Sequence, residues 1–280
     1  MNKDELIDRL PEFLTDQTEE EKAENTLKKY AHNISLFLDW LPPGVDVDKN
    51  IVIDFKKHLL EDCKFRTNTI NNYIISINKF LFWCGESGCK VKQLKKQHAA
   101  SNSEILSLAD YKRLLRFAKR AGQDDTYLIM KILAMTGIRI EELSFFTVEN
   151  MKSNYIRVRN KGKERSIIIR QDLAREIRAY CREKGIREGN IFPCREKGKM
   201  MAKSTFWRRI KKIAAAAKVQ KNKVHAHSFR HLFAKMFLDE YNGSIAELAD
   251  ILGHNSLETT RIYAKTTDEE KRRKLERIKF

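Results

Sequence analysis

Proline and glycine are scarce in this chain, at 4 and 11 of 280 residues. A composition so poor in both is neither collagen-like nor low-complexity, and 42% hydrophobic residues are enough to build real cores. Cysteine is also sparse. Cys63, Cys84, Cys89, Cys181 and Cys194 are odd in number and lack the paired spacing of a zinc site. Buried, reduced thiols are expected. No apolar run approaches the ~18 residues of a membrane span; the one around Tyr127 to Met135 is broken by Lys131. The opening residues MNKDELIDRL are polar and acidic, where a secretory leader is basic and then apolar. The expectation is a soluble cytoplasmic protein with no membrane partner. Negative charge is in short supply as well. Against 38 Asp and Glu stand 55 Lys and Arg, a formal net charge of +17. That excess points to a polyanionic partner, nucleic acid before an anionic membrane surface.

The charge is unevenly spread. Residues 1–95 carry 14 Lys and Arg against 16 Asp and Glu, whereas residues 96–280 carry 41 against 22. The break coincides with Lys95 to Ser103, KKQHAASNS, which has linker composition. Two domains are expected, 1–95 and 106–280, joined by a linker over 96–105.

The first domain reads as all-helical. Thr18 and Glu21 have capping-box spacing, followed by Ala23, Leu27, Tyr30, Ile34, Phe37 and Leu38 at helical intervals. Pro42-Pro43-Gly44 stops that helix. Ile51, Phe55 and Leu59 mark a second, and Ile70, Tyr73, Ile74, Ile77 and Leu81 a third. Arg66, Asn68, Asn71, Asn72 and Lys79 on the third are amides and cations suited to phosphates and base edges. The second domain reads as mainly α with a small antiparallel sheet. Ser107 and Asp110 begin one helix, and another runs from about Asp124 to Thr136-Gly137. Strands over 155–159 and 165–170 are joined by the turn Asn160-Lys-Gly-Lys-Glu164. Helices follow over roughly 172–184, 203–217, 228–241, 245–252 and 256–264, and a short tail helix from Thr267.

Three segments carry chemistry. In Thr136-Gly-Ile-Arg-Ile-Glu-Glu-Leu143, Arg139 follows a glycine break and Glu142 stands three residues on. In His225-Ala-His-Ser-Phe-Arg-His231, the residues His227, Arg230 and His231 are spaced i, i+3 and i+4, which puts three bases on one helical face. An arginine there repels a metal cation, whereas an anion such as phosphate suits the set. In Leu252-Gly-His-Asn-Ser-Leu-Glu-Thr-Thr-Arg-Ile-Tyr263, His254 follows a helix-ending glycine and Tyr263 comes nine residues later.

Taken together, Arg139 in TGIRIEEL, Lys161 in the hairpin turn, His227 and Arg230 in HSFRH, His254 in LGH and Tyr263 resemble the tyrosine recombinase (phage integrase) family in order and spacing. Phe229 stands where the family usually has leucine. The hairpin is one residue shorter than the commonest GKGxKxR form, so Lys161 and Lys163 both come into question as the active lysine, with Lys161 preferred. The resemblance implies a two-domain, Xer-like member: a helical core-binding domain that clamps DNA, then a catalytic domain with a tail helix. It implies a recombinase that cleaves duplex DNA through a 3′-phosphotyrosine and a Holliday junction, as a homotetramer on two sites that is monomeric in solution. The acting residues are then Arg139, Lys161, His227, Arg230, His254 and Tyr263, supported by Glu142 and His231. Lys163, Lys203 and Arg208 are further expected DNA contacts, and no metal or cofactor is expected. The competing readings are a type IB topoisomerase-like enzyme, which reseals the same strand, and a non-catalytic DNA-binding regulator.

Overall fold

Helix formation starts well before Thr18. In the computed structural model, α1 runs Lys3–Glu19, opened by a reciprocal capping box between Asn2 and Glu5. Thr18 is not a cap: its hydroxyl donates to the Leu14 carbonyl at 2.8 Å inside the last turn of α1. The structure describes residues 1–95, 106–160, 163–193, 201–225, 227–240, 244–254, 256–261, 263 and 276. The chain divides into two compact units, Met1–Ala100 and Ser101–Phe280. The expected linker 96–105 and the tail helix from Thr267 lie outside the described residues, Glu276 apart.

In the first unit α1 is followed by α2 (Glu24–Trp40), α3 (Lys49–Glu61) and α4 (Thr67–Trp83). Leu6 and Phe13 of α1 are fully buried with Ile34 and Phe37 of α2, Phe55 of α3 and Ile74, Ile77 and Phe80 of α4. Phe13 meets Phe80 edge-on at 5.3 Å between centroids. Burying a ring of this size contributes about 1.5–3 kcal/mol, so α1 is part of the core.

One side chain expected to face DNA points the other way. Asn71 is buried, and its amide accepts from Leu94 N–H at 2.8 Å and donates to the Leu94 carbonyl at 3.0 Å. Asn78, two turns on, makes the same paired contact with Val91. These amides clamp the irregular segment 91–94, whose backbone groups have no strand partner among the described residues and need one. Asn71 is therefore a structural residue. Arg66, Asn68 and Asn72 are exposed. Lys79 is half-buried, 3.4 Å from Glu20 and above the Tyr30 ring.

The second unit contains α5 (Leu108–Arg120), α6 (Asp124–Thr136), a 3-10 turn (Ile140–Phe145), the antiparallel pair β1 (Tyr155–Asn160) and β2 (Lys163–Ile168), α7 (Gln171–Glu183), α8 (Lys203–Ala216), α9 (Ser228–Glu240), α10 (Ile245–Leu252) and α11 (Leu257–Arg261). Pairing of Asn160 with Lys163 carries β1 one residue and β2 two residues nearer the turn than expected, and β2 ends at Ile168, two residues short of the expected end. Ile156 and Val158 of β1 and Ile167 of β2, with Ile169 just beyond, face the core, while Tyr155 and Ile168 are exposed. Apolar α6 packs centrally, with Leu128, Ile129, Ile132 and Leu133 all buried. Lys131, which interrupts that run, is half-buried and paired with Glu176. Among the described residues no helix is long and apolar enough to cross a membrane.

Candidate active site

Two glycine chain breaks build the site. Gly137 closes α6 in the left-handed conformation, at φ +64°. A Cβ there would stand 2.5 Å from Phe233 and 2.8 Å from Leu252, so glycine is required on two counts. The chain then turns sharply, and Arg139 caps the 3-10 turn. Glu142, 1% exposed, reaches back to accept the Arg139 backbone N–H at 2.7 Å. The Arg139 guanidinium lies 3.7 Å from the other Glu142 oxygen and remains partly exposed. Gly253 closes α10 in the same left-handed way and delivers His254.

Arg230 joins these ends. It sits in the first turn of α9 beside Phe229, is 1% exposed, and donates from Nη1 to the Gly137 carbonyl at 2.7 Å and from Nη2 to the Leu252 carbonyl at 2.6 Å. Both acceptors lie at helix C-termini, where unpaired carbonyls concentrate partial negative charge. That is why a guanidinium can be buried here. Burial, then the like charge of Arg139, lowers its pKa to about 10, and the nearby Tyr263 phenol acts in the opposite direction through charge and a hydrogen bond. Arg230 remains a cation at neutral pH.

The Tyr263 ring lies between two imidazoles. It stacks on His254 at 5.9 Å and meets His231 edge-on at 4.6 Å. His254 also accepts from Arg230 through Nε2, at 2.9 Å, and its Nδ1 is 2.8 Å from the hydroxyl of the fully buried Thr260. The His254 pKa is lowered to about 4, first by burial and then by Arg230, Arg139 and Arg165. His231 is likewise lowered to about 4, first by burial and then by His225, His227 and Arg230. His227 stands at the open edge of the cluster, just before α9. Its pKa is lowered by partial burial, then by Arg230, His225 and Arg139. Neutral imidazoles interleaved with fixed guanidinium groups suit an oxyanion ligand.

The structure thus brings together Arg139, His227, Arg230, His254 and Tyr263, with Glu142 and His231 beside them. Lys161 lies outside the described residues. Lys163 opens β2 opposite Asn160. Lys203, at the start of α8, binds Glu141 at 2.7 Å, and Arg208 is exposed.

Sequence reasoning missed two participants, Thr260 and Arg165. Arg165 is 14% exposed and donates to Glu142 at 2.7 Å and to the Ile251 carbonyl. A signal for it existed: strand alternation places residue 165 on the same face as Ile167 and Ile169, and a cation on an inward face needs an internal partner.

Residues 104–270 match the family model described as the phage integrase family. The chain belongs to the phage integrase family. It is a tyrosine recombinase by that membership, an enzyme of the DNA strand-transferase class. Among similar proteins, the tyrosine recombinase XerA of Pyrococcus furiosus is 29% identical over 276 residues, covering 96% of this chain and 93% of the relative. The tyrosine recombinase XerD of Vibrio cholerae is 24% identical over 273 residues, covering 88% and 87%. The fold is shared with the Tn1549 transposon integrase in complex with circular intermediate DNA, at a TM-score of 0.76 and 17% identity over 99% of both chains. It is also shared with a lambda integrase tetramer bound to a Holliday junction, at 0.71 and 16% over 96% of this chain and 80% of that one.

Proposed function

We propose that this protein is a site-specific recombinase that cuts and rejoins double-stranded DNA through a 3′-phosphotyrosine formed on Tyr263. The observation that carries this reading is the placement of the Tyr263 phenol beside buried Arg230, in one cluster with Arg139, His227 and His254. The phenolic oxygen attacks the phosphorus and the bond to the 5′ oxygen breaks. Arg139 and Arg230 hold the non-bridging oxygens as negative charge builds on them, and His254 donates a further bond. His227, whose pKa is lowered by partial desolvation and then by its cationic neighbours, accepts the phenolic proton. Lys161 protonates the departing 5′-hydroxyl. Glu142 and His231 hold the reacting groups in place. The phosphotyrosine conserves the energy of the broken linkage, so a 5′-hydroxyl from another strand reseals it without a nucleotide or a metal.

Arg66, Asn68, Asn72, Lys163, Lys203 and Arg208 contribute DNA contacts, and the net charge of +17 supports a DNA partner. The protein acts in the cytoplasm at the nucleoid. Monomers assemble as a tetramer on two sites and pass through a Holliday junction, the tail beyond Thr267 docking on a neighbouring copy.

The test uses a random-sequence pool of nicked duplexes, from which wild-type protein is trapped as a covalent adduct in denaturant. Tyr263→Phe is expected to bind the selected duplex with unchanged affinity and form no adduct. An adduct in Tyr263→Phe would place the nucleophile elsewhere.

A further inference from the structure

We propose that Arg165 is a positioning residue for strand cleavage, a strut that fixes the Arg139 turn and the His254 turn relative to each other. The proposal rests on the recombinase reading above and adds a residue to it. Arg165 lies in β2, four residues after Lys161 in sequence, so the hairpin that carries the expected acid is the strand from which the strut springs. One end of its guanidinium donates to Glu142 Oε2 at 2.7 Å. The same oxygen accepts the Arg139 backbone N–H. The other end donates to the Ile251 carbonyl, three residues before His254.

The stem of Arg165 is equally constrained. A Cβ on Gly253 would lie 2.6 Å from Arg165 Cδ, so the aliphatic chain runs directly against the glycine that turns the backbone toward His254. The carbonyls of Ile251 and Leu252 are held by two different arginines, Arg165 from β2 and Arg230 from α9. Arg230 also faces the ligand side of the site through Tyr263 and His254. Among the described residues Arg165 shows no such contact, and its task is a supporting one.

Glu142 sharpens the argument. Its carboxylate is 1% exposed, and Oε1 has no hydrogen-bond partner among the described residues, although the Arg139 guanidinium stands 3.7 Å away. By occupying Oε2, Arg165 compensates the buried charge without drawing the Arg139 side chain fully onto the acid. The Arg139 fork is thereby left to a phosphate. A planar two-ended donor is needed, because one group must reach an acid and a carbonyl on different elements at once.

Three variants of the full chain test this. Arg165→Met keeps the stem and loses both donors. Arg165→Lys keeps the charge but can hold only one of the two acceptors. Glu142→Gln/Arg165→Met removes the buried charge along with its partner. Four readouts are taken: amide hydrogen exchange and thermal melting of the protein without DNA, and affinity for and rate of adduct formation with the duplex selected by wild type. In Arg165→Met, exchange should rise together around Glu142 and around Gly253 and His254, with α7 unaffected. Adduct formation per folded molecule should fall ~10²-fold, the scale for ångström misplacement of reacting groups, while duplex affinity changes far less. Arg165→Lys should recover melting temperature and only part of the rate. The double variant should recover melting temperature but not rate. Unchanged exchange at either turn in Arg165→Met, or a wild-type adduct rate per folded molecule, overturns the proposal. If wild type itself forms no adduct, the recombinase reading fails, and the exchange data still decide whether Arg165 is a strut.

Discussion

Arg230 and His254 are hydrogen-bonded to each other, Nη2 to Nε2 at 2.9 Å. A guanidinium can only donate, so Nε2 is the accepting nitrogen and the imidazole proton is on Nδ1. Nδ1 faces the Thr260 hydroxyl at 2.8 Å, which makes Thr260 the acceptor that sets the tautomer. To donate to a phosphate oxygen through Nε2, His254 must release Arg230 and gain a proton on Nε2, by protonation of the ring or by a change of tautomer.

Thr260→Val should therefore do more than its small change in shape suggests. It strands the Nδ1–H of His254 in a buried position, at a cost of about 1–3 kcal/mol. It also removes the contact that orients the ring. Thermal melting and adduct formation should both fall, and Thr260→Ser should restore both. A Thr260→Val protein with the wild-type adduct rate would show that the ring is oriented by something else.

Arg139→Ala and Arg230→Ala should separate stability from chemistry. Each removes a donor from the charge-building phosphate and should slow cleavage by at least ~10²-fold. Only Arg230 also satisfies two buried carbonyls, those of Gly137 and Leu252. Its loss should destabilise the fold by about 1–3 kcal/mol for each stranded group. Arg139 is partly exposed and loosely paired, and its loss should stay within about 1 kcal/mol. Chemical denaturation beside single-turnover cleavage measures both. Equal destabilisation by the two variants would contradict the different burial of the two arginines.

The candidate site was legible in the sequence because its residues are tied to local breaks: Gly137 before Arg139, Gly253 before His254, and helical spacing from His227 to His231. What was not legible depends on distant partners. Asn71 and Asn78 flank an apolar stripe and look like an outer face to a count of apolar residues. Their acceptors, Leu94 and Val91, lie in an irregular segment that no periodicity pairs with a helix. Helix α1 was missed because Pro11 and an acidic first turn mask the spacing of Leu6, Phe13 and Gln17, all of them buried. Arg165 was legible in principle from strand alternation. Its partners Glu142 and Ile251 come from two other elements, and only the folded chain names them.

The glycines give a graded test of the packing around these breaks. Gly44, Gly137 and Gly253 all have positive φ, so alanine carries backbone strain at each, on the order of 1 kcal/mol. Gly44 has open space around a prospective Cβ, whereas Gly137 meets Phe233 and Leu252, and Gly253 meets the stem of Arg165. Gly137→Ala should be the most destabilising, because rigid core groups must move. Gly253→Ala should lose cleavage out of proportion to stability, because the group it displaces is Arg165. Similar melting temperatures for Gly44→Ala and Gly137→Ala would argue against the tight contact at Phe233.

Acid should weaken the fold and strengthen DNA binding, and the same imidazoles account for both. His254 and His231 are held near 4, first by burial and then by cationic neighbours, whereas an unfolded histidine titrates near ~6.5. Between those values the unfolded chain binds more protons than the folded one. Stability therefore rises with pH across that window and is lost as the pH falls from ~6.5 toward ~4. A bound phosphate adds negative charge beside His254 and offsets the repulsion from Arg230, Arg139 and Arg165. It raises the His254 pKa back toward neutrality, so binding takes up protons and affinity grows as pH is lowered from ~7.5 to ~6. Calorimetric titration of the selected duplex near pH 6.5, in two buffers of different ionisation enthalpy, reads the uptake directly. The heats should differ between the buffers, and the difference should shrink in His254→Gln. Buffer-independent heats would mean that His254 stays neutral beside the phosphate, and its part in holding the oxyanion would then have to be played without Nε2–H.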